Sequence, residues 1–233
     1  MSGLTTQELQ IVALSLKVAV AAITISIPPA IAVAWLLSRT RFPGKWLLNA
    51  LVHLPLVLPP VVTGYALLRV FGRQGVLGAW LADTVGVTLV FQWTGAAVAA
   101  AVMGFPLMVR GMRLALDAVD PALEDAAATL GASPVRTFFT VSLPLALPGV
   151  FAGIILGFAK ALGEFGATIT FVSNIPGETR TLALAIFTLL DTPDGDAAVL
   201  RLVWISIAVS MSAVLASEWL ARRATPHHAR SRA

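Results

Sequence analysis

The chain has no cysteine, which excludes disulfides, thiolate catalysis and cysteine-ligated metal centres. Charged residues are also scarce: they make up 12% of the chain, whereas a soluble domain has about 25%. The sequence contains no G-x-x-x-x-G-K-[ST] phosphate-binding loop, no H-E-x-x-H pair and no Ser/His/Asp set. These absences argue against a soluble fold, and they give no support to an enzyme.

The chain is instead rich in long apolar runs, and 58% of its 233 residues are hydrophobic. A helix needs about 20 apolar residues to cross a bilayer core about 30 Å thick. Five runs meet that length, at residues 9–37, 47–68, 85–109, 143–172 and 199–220. We therefore predict an all-α polytopic membrane protein with a single transmembrane permease domain over residues 1–233 and a disordered tail over residues 221–233.

The distribution of Lys and Arg predicts the orientation of these spans, because cytoplasmic loops are enriched in both. With the C-terminus inside, ten basic residues fall on the cytoplasmic side and four on the outer side. The four outer residues are Arg69, Arg73, Arg180 and Arg201. We expect a periplasmic N-terminus, a cytoplasmic C-terminus and a cytoplasmic loop over residues 110–142.

That loop carries the signals of a short capped helix followed by a second helix. Asp120 is a suitable N-cap, and Pro121 suits the first helical position. Gly131 suits a left-handed C-cap, and Ser133-Pro134 can start the next helix. The sequence predicts a compact helical projection at residues 120–130, although an ordinary connecting helix would carry the same local signals.

The same segment resembles the EAA loop of ABC-importer permeases, in which E-A-A, a glycine and a final L-P recur at fixed spacing. The matching positions here are Asp125, Ala126, Ala127, Gly131, Val141, Leu143 and Pro144. Asp125 replaces the usual glutamate, and Val141 replaces the usual isoleucine. The resemblance implies a coupling helix that contacts an ATPase subunit, with the coupling residues Glu124, Asp125, Ala126, Ala127, Gly131, Ala132, Pro134, Leu143 and Pro144.

Two further stretches, HLPLVLPPVVTGYALL and ALGEFGATITFVSNIPGETRTLALAIF, resemble the permeases of molybdate importers, the ModB family. GEFGA is shared with sulfate permeases, whereas the residues that follow it are closer to the molybdate branch. The resemblance implies a type I ABC importer (MetI-like) transmembrane domain in the bacterial inner membrane. It also implies a second copy of the chain, two ATPase subunits that carry ATP and Mg, and a periplasmic molybdate-binding protein.

Polar and helix-breaking residues within the predicted spans are candidates for the transport pathway. They are Pro59, Pro60, Thr63, Gly64, Lys160, Glu164 and Gly166. Lys160 and Glu164 are four residues apart, so they can form a structural ion pair or line a path for an anion. The prolines can mark a packing kink or a broken helix beside a cavity.

Three alternatives remain at this stage: a permease for sulfate or another tetrahedral oxyanion, a membrane enzyme, and a passive channel. The sequence indicates no catalytic residue and no cofactor bound by this chain. His227 and His228 lack further ligands, so no metal site is predicted. The basic residues form no stripe, so we expect no nucleic-acid partner.

Overall fold

The computed structural model describes residues 5–193 and 195–224, and all regular secondary structure in these residues is helical. Eleven α-helices and one π-helical turn, Phe138–Ser142, form this part of the chain. The α-helices are α1 Thr6–Arg39, α2 Lys45–Val57, α3 Pro60–Phe71, α4 Val76–Val85, α5 Trp93–Asp117, α6 Pro121–Thr129, α7 Pro134–Thr137, α8 Leu143–Leu162, α9 Gly166–Val172, α10 Leu182–Leu190 and α11 Asp196–Ala224. The all-α prediction is confirmed.

The core of the bundle is α5, which packs along both α1 and α8. Glycines allow the backbones of α5 and α8 to approach closely: a Cβ on Gly111 would lie 2.8 Å from Gly153 Cα, and one on Gly104 would lie 3.0 Å from the Gly157 carbonyl oxygen. On α8 the glycines recur every fourth residue, at Gly149, Gly153 and Gly157. Small residues at this spacing are typical of helix contacts within membranes, where packing replaces the hydrophobic driving force.

Helices α1 and α5 run parallel, and contacts at both ends establish this. At one end, Lys17 Nζ lies 3.7 Å from the centroid of the Trp93 ring. At the other, the Ser38 hydroxyl donates to Asp117 Oδ1 at 2.5 Å. We call the end that contains residues 118–142 the knuckle end, and the end that contains residues 72–92 and 173–181 the distal end.

Among the described residues, four helices are long and apolar enough to cross a membrane, and a fifth span results if α2 and α3 are counted as one. The predicted second span, residues 47–68, is not one helix: the chain bends by 113° between α2 and α3. Pro59 has no backbone N–H to continue the hydrogen-bond ladder, and the Leu58 N–H makes the last bond of α2, to the Leu54 carbonyl. The break is therefore placed where the sequence has its Pro59-Pro60 pair.

The third predicted span, residues 85–109, is displaced along the chain. Gly86 adopts φ +71° and ends α4, and α5 begins only at Trp93. The C-terminal end of α5 extends past residue 110. There Arg113 forms an ion pair with Asp117, one turn further along the helix, with Nε and Oδ2 3.5 Å apart. The loop predicted at residues 110–142 therefore begins only after Asp117, because polar residues continue the helix beyond its apolar part.

The fourth predicted span, residues 143–172, is broken at residues 163–165 into α8 and α9. Helices α1 and α11 contain the first and fifth predicted spans and extend beyond them. The sequence did not predict α4 or α10, two short apolar helices at the distal end. Of the tail predicted at residues 221–233, the first four residues continue α11, and residues 225–233 lie outside the described part of the chain.

Candidate functional site

The predicted helical projection, α6 with its flanking caps, forms at the knuckle end and is called the knuckle (residues 120–134). Asp120 Oδ1 accepts the Ala122 N–H at 2.9 Å, and Pro121 occupies the first turn. Gly131 adopts φ +83°, its N–H bonds to the Ala128 carbonyl at 2.9 Å, and the Ala132 N–H bonds to the Ala127 carbonyl at 3.0 Å. These two bonds form a Schellman motif, which closes the helix in the manner that the glycine predicted.

The knuckle projects from the bundle, since none of the residues of α6 is buried. Four large apolar side chains around it are exposed, with Leu130 at 89% the most open to solvent. The other three are Leu123, Val135 and Phe139. An apolar surface on a polar loop at one end of a membrane bundle has the properties of a protein-docking site.

The neighbouring acidic residues Glu124 and Asp125 of the knuckle have different environments. Asp125 is exposed, whereas Glu124 turns inward and forms an ion pair with Arg39 at the end of α1, with Nε and Oε1 2.9 Å apart. The same Oε1 accepts the Ser142 hydroxyl at 2.6 Å, just before α8 begins. Arg39 Nη2 also donates to the Val119 carbonyl at 3.1 Å. Glu124 thus connects the knuckle to both α1 and α8.

The other predicted coupling residues lie on or beside the knuckle. Ala126, Gly131, Pro134 and Pro144 are exposed, and Ala127, Ala132 and Leu143 are partly buried. Sequence reasoning did not identify Arg39 and Ser142 as partners of Glu124. A basic residue at the end of a span was the only signal for Arg39, and Ser142 carried none.

The predicted pathway residues lie around the contact between α3 and α9. A Cβ on Gly64 would lie 2.6 Å from the Ala167 carbonyl oxygen, and one on Gly166 would lie 2.7 Å from Pro60 Cβ. Thr63 is buried beside Gly64, and its Oγ1 has no hydrogen-bond partner among the described residues. The structure therefore brings Gly166 into one close helix contact with Pro60 and Gly64, which are distant from it in sequence.

Lys160 and Glu164 form the ion pair that their spacing allowed, with Nζ and Oε2 2.6 Å apart. The Glu164 side chain is 1% exposed and that of Lys160 is 30% exposed. Glu164 Oε1 also accepts the Ala167 N–H at 3.0 Å, so the carboxylate bridges the break between α8 and α9. This geometry favours the structural interpretation of Glu164 and leaves Lys160 partly open to the exterior of the chain.

Pro59 and the opposite face of α3 are exposed, including Val61, Val62 and Tyr65. An apolar face of this kind can contact lipid or another protein, and it borders the break between α2 and α3.

In the described residues, no group of three or more His, Asp or Glu side chains is arranged to hold a metal ion.

Comparison with known proteins identifies the class to which this bundle belongs. Residues 26–226 match the model of the family described as "Binding-protein-dependent transport system inner membrane component". Because this match covers most of the chain, the protein belongs to that family, and the prediction of an ABC-importer permease is confirmed. Its apolar helices agree with the inner-membrane location that the family description carries.

Within the family, the chain is 59% identical over 219 residues to the molybdenum transport system permease protein ModB of Escherichia coli K12. That alignment covers 94% of this chain and 96% of the relative. ModB of Haemophilus influenzae is 53% identical over 93% of this chain and 94% of its own. The sulfate transport system permease protein CysT of E. coli K12 is 42% identical over 71% of this chain and 59% of its own length.

Solved structures agree on the fold. A chain of the inward-facing MetNI methionine ABC transporter aligns with a TM-score of 0.74 at 16% identity, covering 96% of this chain and all (100%) of that chain. A bacterial ABC transporter that imports alginate aligns with a TM-score of 0.75 at 18% identity, covering 96% and 82%. The predicted MetI-like transmembrane fold is confirmed.

Proposed function

We propose that this chain is the permease subunit of an ABC importer that carries molybdate across the bacterial inner membrane. The observation that carries the proposal is the 59% identity to ModB over 94% of the chain, against 42% over 71% for the sulfate permease CysT. The chain is therefore less similar to CysT than to ModB, both in the percentage of identical residues and in the share of the chain that aligns. Selectivity for molybdate over sulfate belongs mainly to the binding protein, because a pathway that binds both tetrahedral dianions weakly discriminates little between them.

The assembly that we infer contains two copies of this chain, two ATPase subunits with ATP and Mg, and a periplasmic molybdate-binding protein. The exposed apolar face of α3 is suited to contact with the second copy, and the exposed apolar surface of the knuckle to contact with the ATPase. The chain itself acts in transport and not in catalysis. The lipid bilayer surrounds the remaining apolar surface.

In this proposal the knuckle transmits the movement of the ATPase to the bundle. When ATP binding closes the ATPase dimer, the two knuckles approach each other. Glu124 passes that displacement to α1 through Arg39 and to α8 through Ser142, because both contacts are short and shared by one carboxylate oxygen. Helices α8 and α9 then move together with α3, on which α9 packs. This movement changes the side of the membrane to which the pathway opens.

The orientation that we propose places the knuckle end in the cytoplasm and the N-terminus in the periplasm. A reporter that is active only in the cytoplasm should work when fused after Arg223 and fail when inserted beside Pro193. The opposite pattern would overturn the orientation and the coupling role of the knuckle together. Copurification of an ATPase subunit with this chain would separately exclude a passive channel and a membrane enzyme.

The substrate is tested by deleting this subunit. Molybdenum-dependent enzymes should lose activity at trace molybdate, and excess molybdate should restore it through less specific routes. Reintroducing the chain should restore uptake at trace molybdate. Sulfur starvation in the deletion strain, with molybdenum enzymes unaffected, would contradict the molybdate assignment and favour the sulfate alternative.

A further inference from the structure

A cavity of about 560 Å³ lies at the distal end, where α3 ends. It is lined on one side by Tyr65, Arg69 and Arg73, and on the other by Thr88 and Phe91. In the described residues, no carboxylate lines it, and neither arginine has an ion-pair or hydrogen-bond partner. Two unpaired guanidinium groups in one concave site produce a positive potential there.

The position of this cavity follows from α3 itself. Tyr65 and Arg69 are four residues apart on one exposed stripe of α3, and Arg73 lies in the turn that follows the C-cap residue Gly72. The opposite stripe, with Thr63 and Gly64, is buried against α9. The exposed face that starts at the broken helix therefore includes Arg69, and the turn after α3 adds Arg73 to the same cavity.

Both walls of the cavity are held by the backbone. A Cβ on Gly75 would lie 2.4 Å from the Val70 carbonyl oxygen, and one on Gly78 would lie 2.0 Å from the Gly72 carbonyl oxygen, so the turn after α3 packs tightly onto α4. On the other wall, Phe91 adopts φ +63°, a left-handed conformation that is unusual for a bulky residue. Backbone strain of this kind persists where the surrounding structure fixes it and is concentrated at functional sites.

The donor chemistry of the site suits one class of ligand. Guanidinium groups match the planar edge of two oxygens on a tetrahedral oxyanion, and the hydroxyls of Tyr65 and Thr88 can donate to further oxygens. We propose that this cavity holds the tetrahedral dianion after the binding protein releases it and before it enters the pathway beside α3. The proposal rests on the proposed function, since it assigns the site to the transported ion.

Two other sources of the same chemistry or charge must be distinguished. The phosphate of an anionic lipid headgroup is also a tetrahedral oxyanion, and an acidic lobe of the binding protein would also be attracted. A retained dianion predicts that Arg69 and Arg73 affect how much molybdate is transported for each ATP hydrolysed. A docking contact instead predicts a change in the amount of binding protein needed to stimulate the ATPase.

The experiment uses the complete importer in liposomes of zwitterionic lipid, with loaded binding protein outside and radiolabelled molybdate as the probe. The double variant R69Q/R73Q should lower the ratio of molybdate transported to ATP hydrolysed about threefold or more, because released dianion escapes outward. The concentration of binding protein that half-stimulates the ATPase should stay unchanged. R69K/R73K keeps the charge and should recover most of the ratio.

The matched control is R180Q, which removes one basic residue from a different cavity at the distal end. An equal loss in R180Q, an unchanged ratio in R69Q/R73Q, or a raised half-stimulating concentration at an unchanged ratio would each overturn the site. So would an effect that appears only when anionic phospholipid is added. If the unmodified importer carries no molybdate, the proposed function fails instead, and this outcome is separate from the others.

Discussion

The knuckle and the contact between α3 and α9 are both candidate working parts of the molecule, yet they are held in opposite ways. The knuckle has no buried residue in α6 and depends on caps and on one ion pair, between Glu124 and Arg39. The α3–α9 contact is buried and depends on the absence of side chains at Gly64 and Gly166. The knuckle, for which we propose a docking role, is stabilised by polar contacts, whereas the α3–α9 contact is defined by shape.

The comparison has an energetic consequence. A partly buried polar contact such as Glu124–Arg39 contributes about 1 kcal/mol, because folding replaces hydrogen bonds to water with bonds within the protein. Overpacking a tight helix contact costs about 1–3 kcal/mol and occasionally more. Substitutions at the α3–α9 contact should therefore destabilise the protein, whereas substitutions at the knuckle should leave it folded and affect communication with the ATPase.

The largest effect is expected from Gly64→Val. Its Cβ would lie 2.6 Å from the Ala167 carbonyl oxygen and 2.8 Å from Thr170 Cβ, so α3 and α9 must separate. We expect a loss of about 3 kcal/mol, at the upper end for overpacking, together with loss of transport. Thermal unfolding of the detergent-solubilised importer measures the loss of stability, and molybdate uptake into liposomes measures the loss of transport.

Gly163→Val is the matched control, because Gly163 lies between α8 and α9, is exposed, and meets only the Ala159 carbonyl oxygen at 3.7 Å. It should unfold within a few degrees of the unmodified protein. Equal tolerance of both substitutions would show that the α3–α9 contact is looser than its geometry indicates.

The same contrast explains what the sequence could predict. The knuckle follows from signals within a few residues of each other, such as Asp120, Pro121 and Gly131, and local hydrogen bonds then form as expected. Its connection to Arg39 spans 85 positions of the chain, and no local pattern reveals it. The long apolar runs predicted membrane helices, because the bilayer requires that length, but not the exact helix ends.

The α3–α9 contact shows the limit more clearly. The prolines marked the second predicted span as kinked or broken, whereas residues 143–172 were predicted as one unbroken span, so the break between α8 and α9 was missed. Which helix faces which depends on packing over long distances, so the pairing of Gly64 with Ala167 could only come from the structure. Helices α4 and α10 were missed because each is too short to span a bilayer and was read as loop.

Lys160→Met tests whether the ion pair between Lys160 and Glu164, at the end of α8, is structural. Removing the ammonium leaves Glu164, whose side chain is 1% exposed, without its cation. Removing one partner of a fully buried pair costs about 3–5 kcal/mol; the 30% exposure of Lys160 lowers our expectation to about 2 kcal/mol. Lys160→Arg should retain most of the stability. Unchanged unfolding with reduced molybdate uptake would instead place Lys160 in the anion pathway.

Glu124→Gln and Asp125→Asn separate the two functions that we propose for the knuckle, which are transmission of movement and binding of the ATPase. Glu124→Gln weakens the contact with Arg39, so transport per ATP should fall while the ATPase still binds; a double-mutant cycle with Arg39→Gln should give a coupling free energy of about 1 kcal/mol. Asp125→Asn, on the exposed side, should instead weaken ATPase binding without changing unfolding. Titration with the ATPase measures its binding. Unfolding curves of the unmodified protein, the two single variants and the double variant give the coupling free energy between Glu124 and Arg39. Additive effects of Glu124→Gln and Arg39→Gln would contradict a connection through this ion pair.

Gly131→Val is expected to have only a small, local effect on stability, although its effect on coupling should be clear. Gly131 adopts φ +83°, and no atom lies within 4 Å of the position that a Cβ would take, so the cost is backbone strain and not collision. We expect about 1 kcal/mol, confined to the end of α6, because only the Schellman closure is lost. The subunit should still insert into the membrane and unfold normally. It should bind or stimulate its ATPase less, because the Schellman closure positions Leu130, the exposed residue next to Gly131. Gly131→Asn, which tolerates the left-handed conformation better, should recover most of the stimulation. Full stimulation by the valine variant would mean that the ATPase does not depend on the shape of this end of the knuckle.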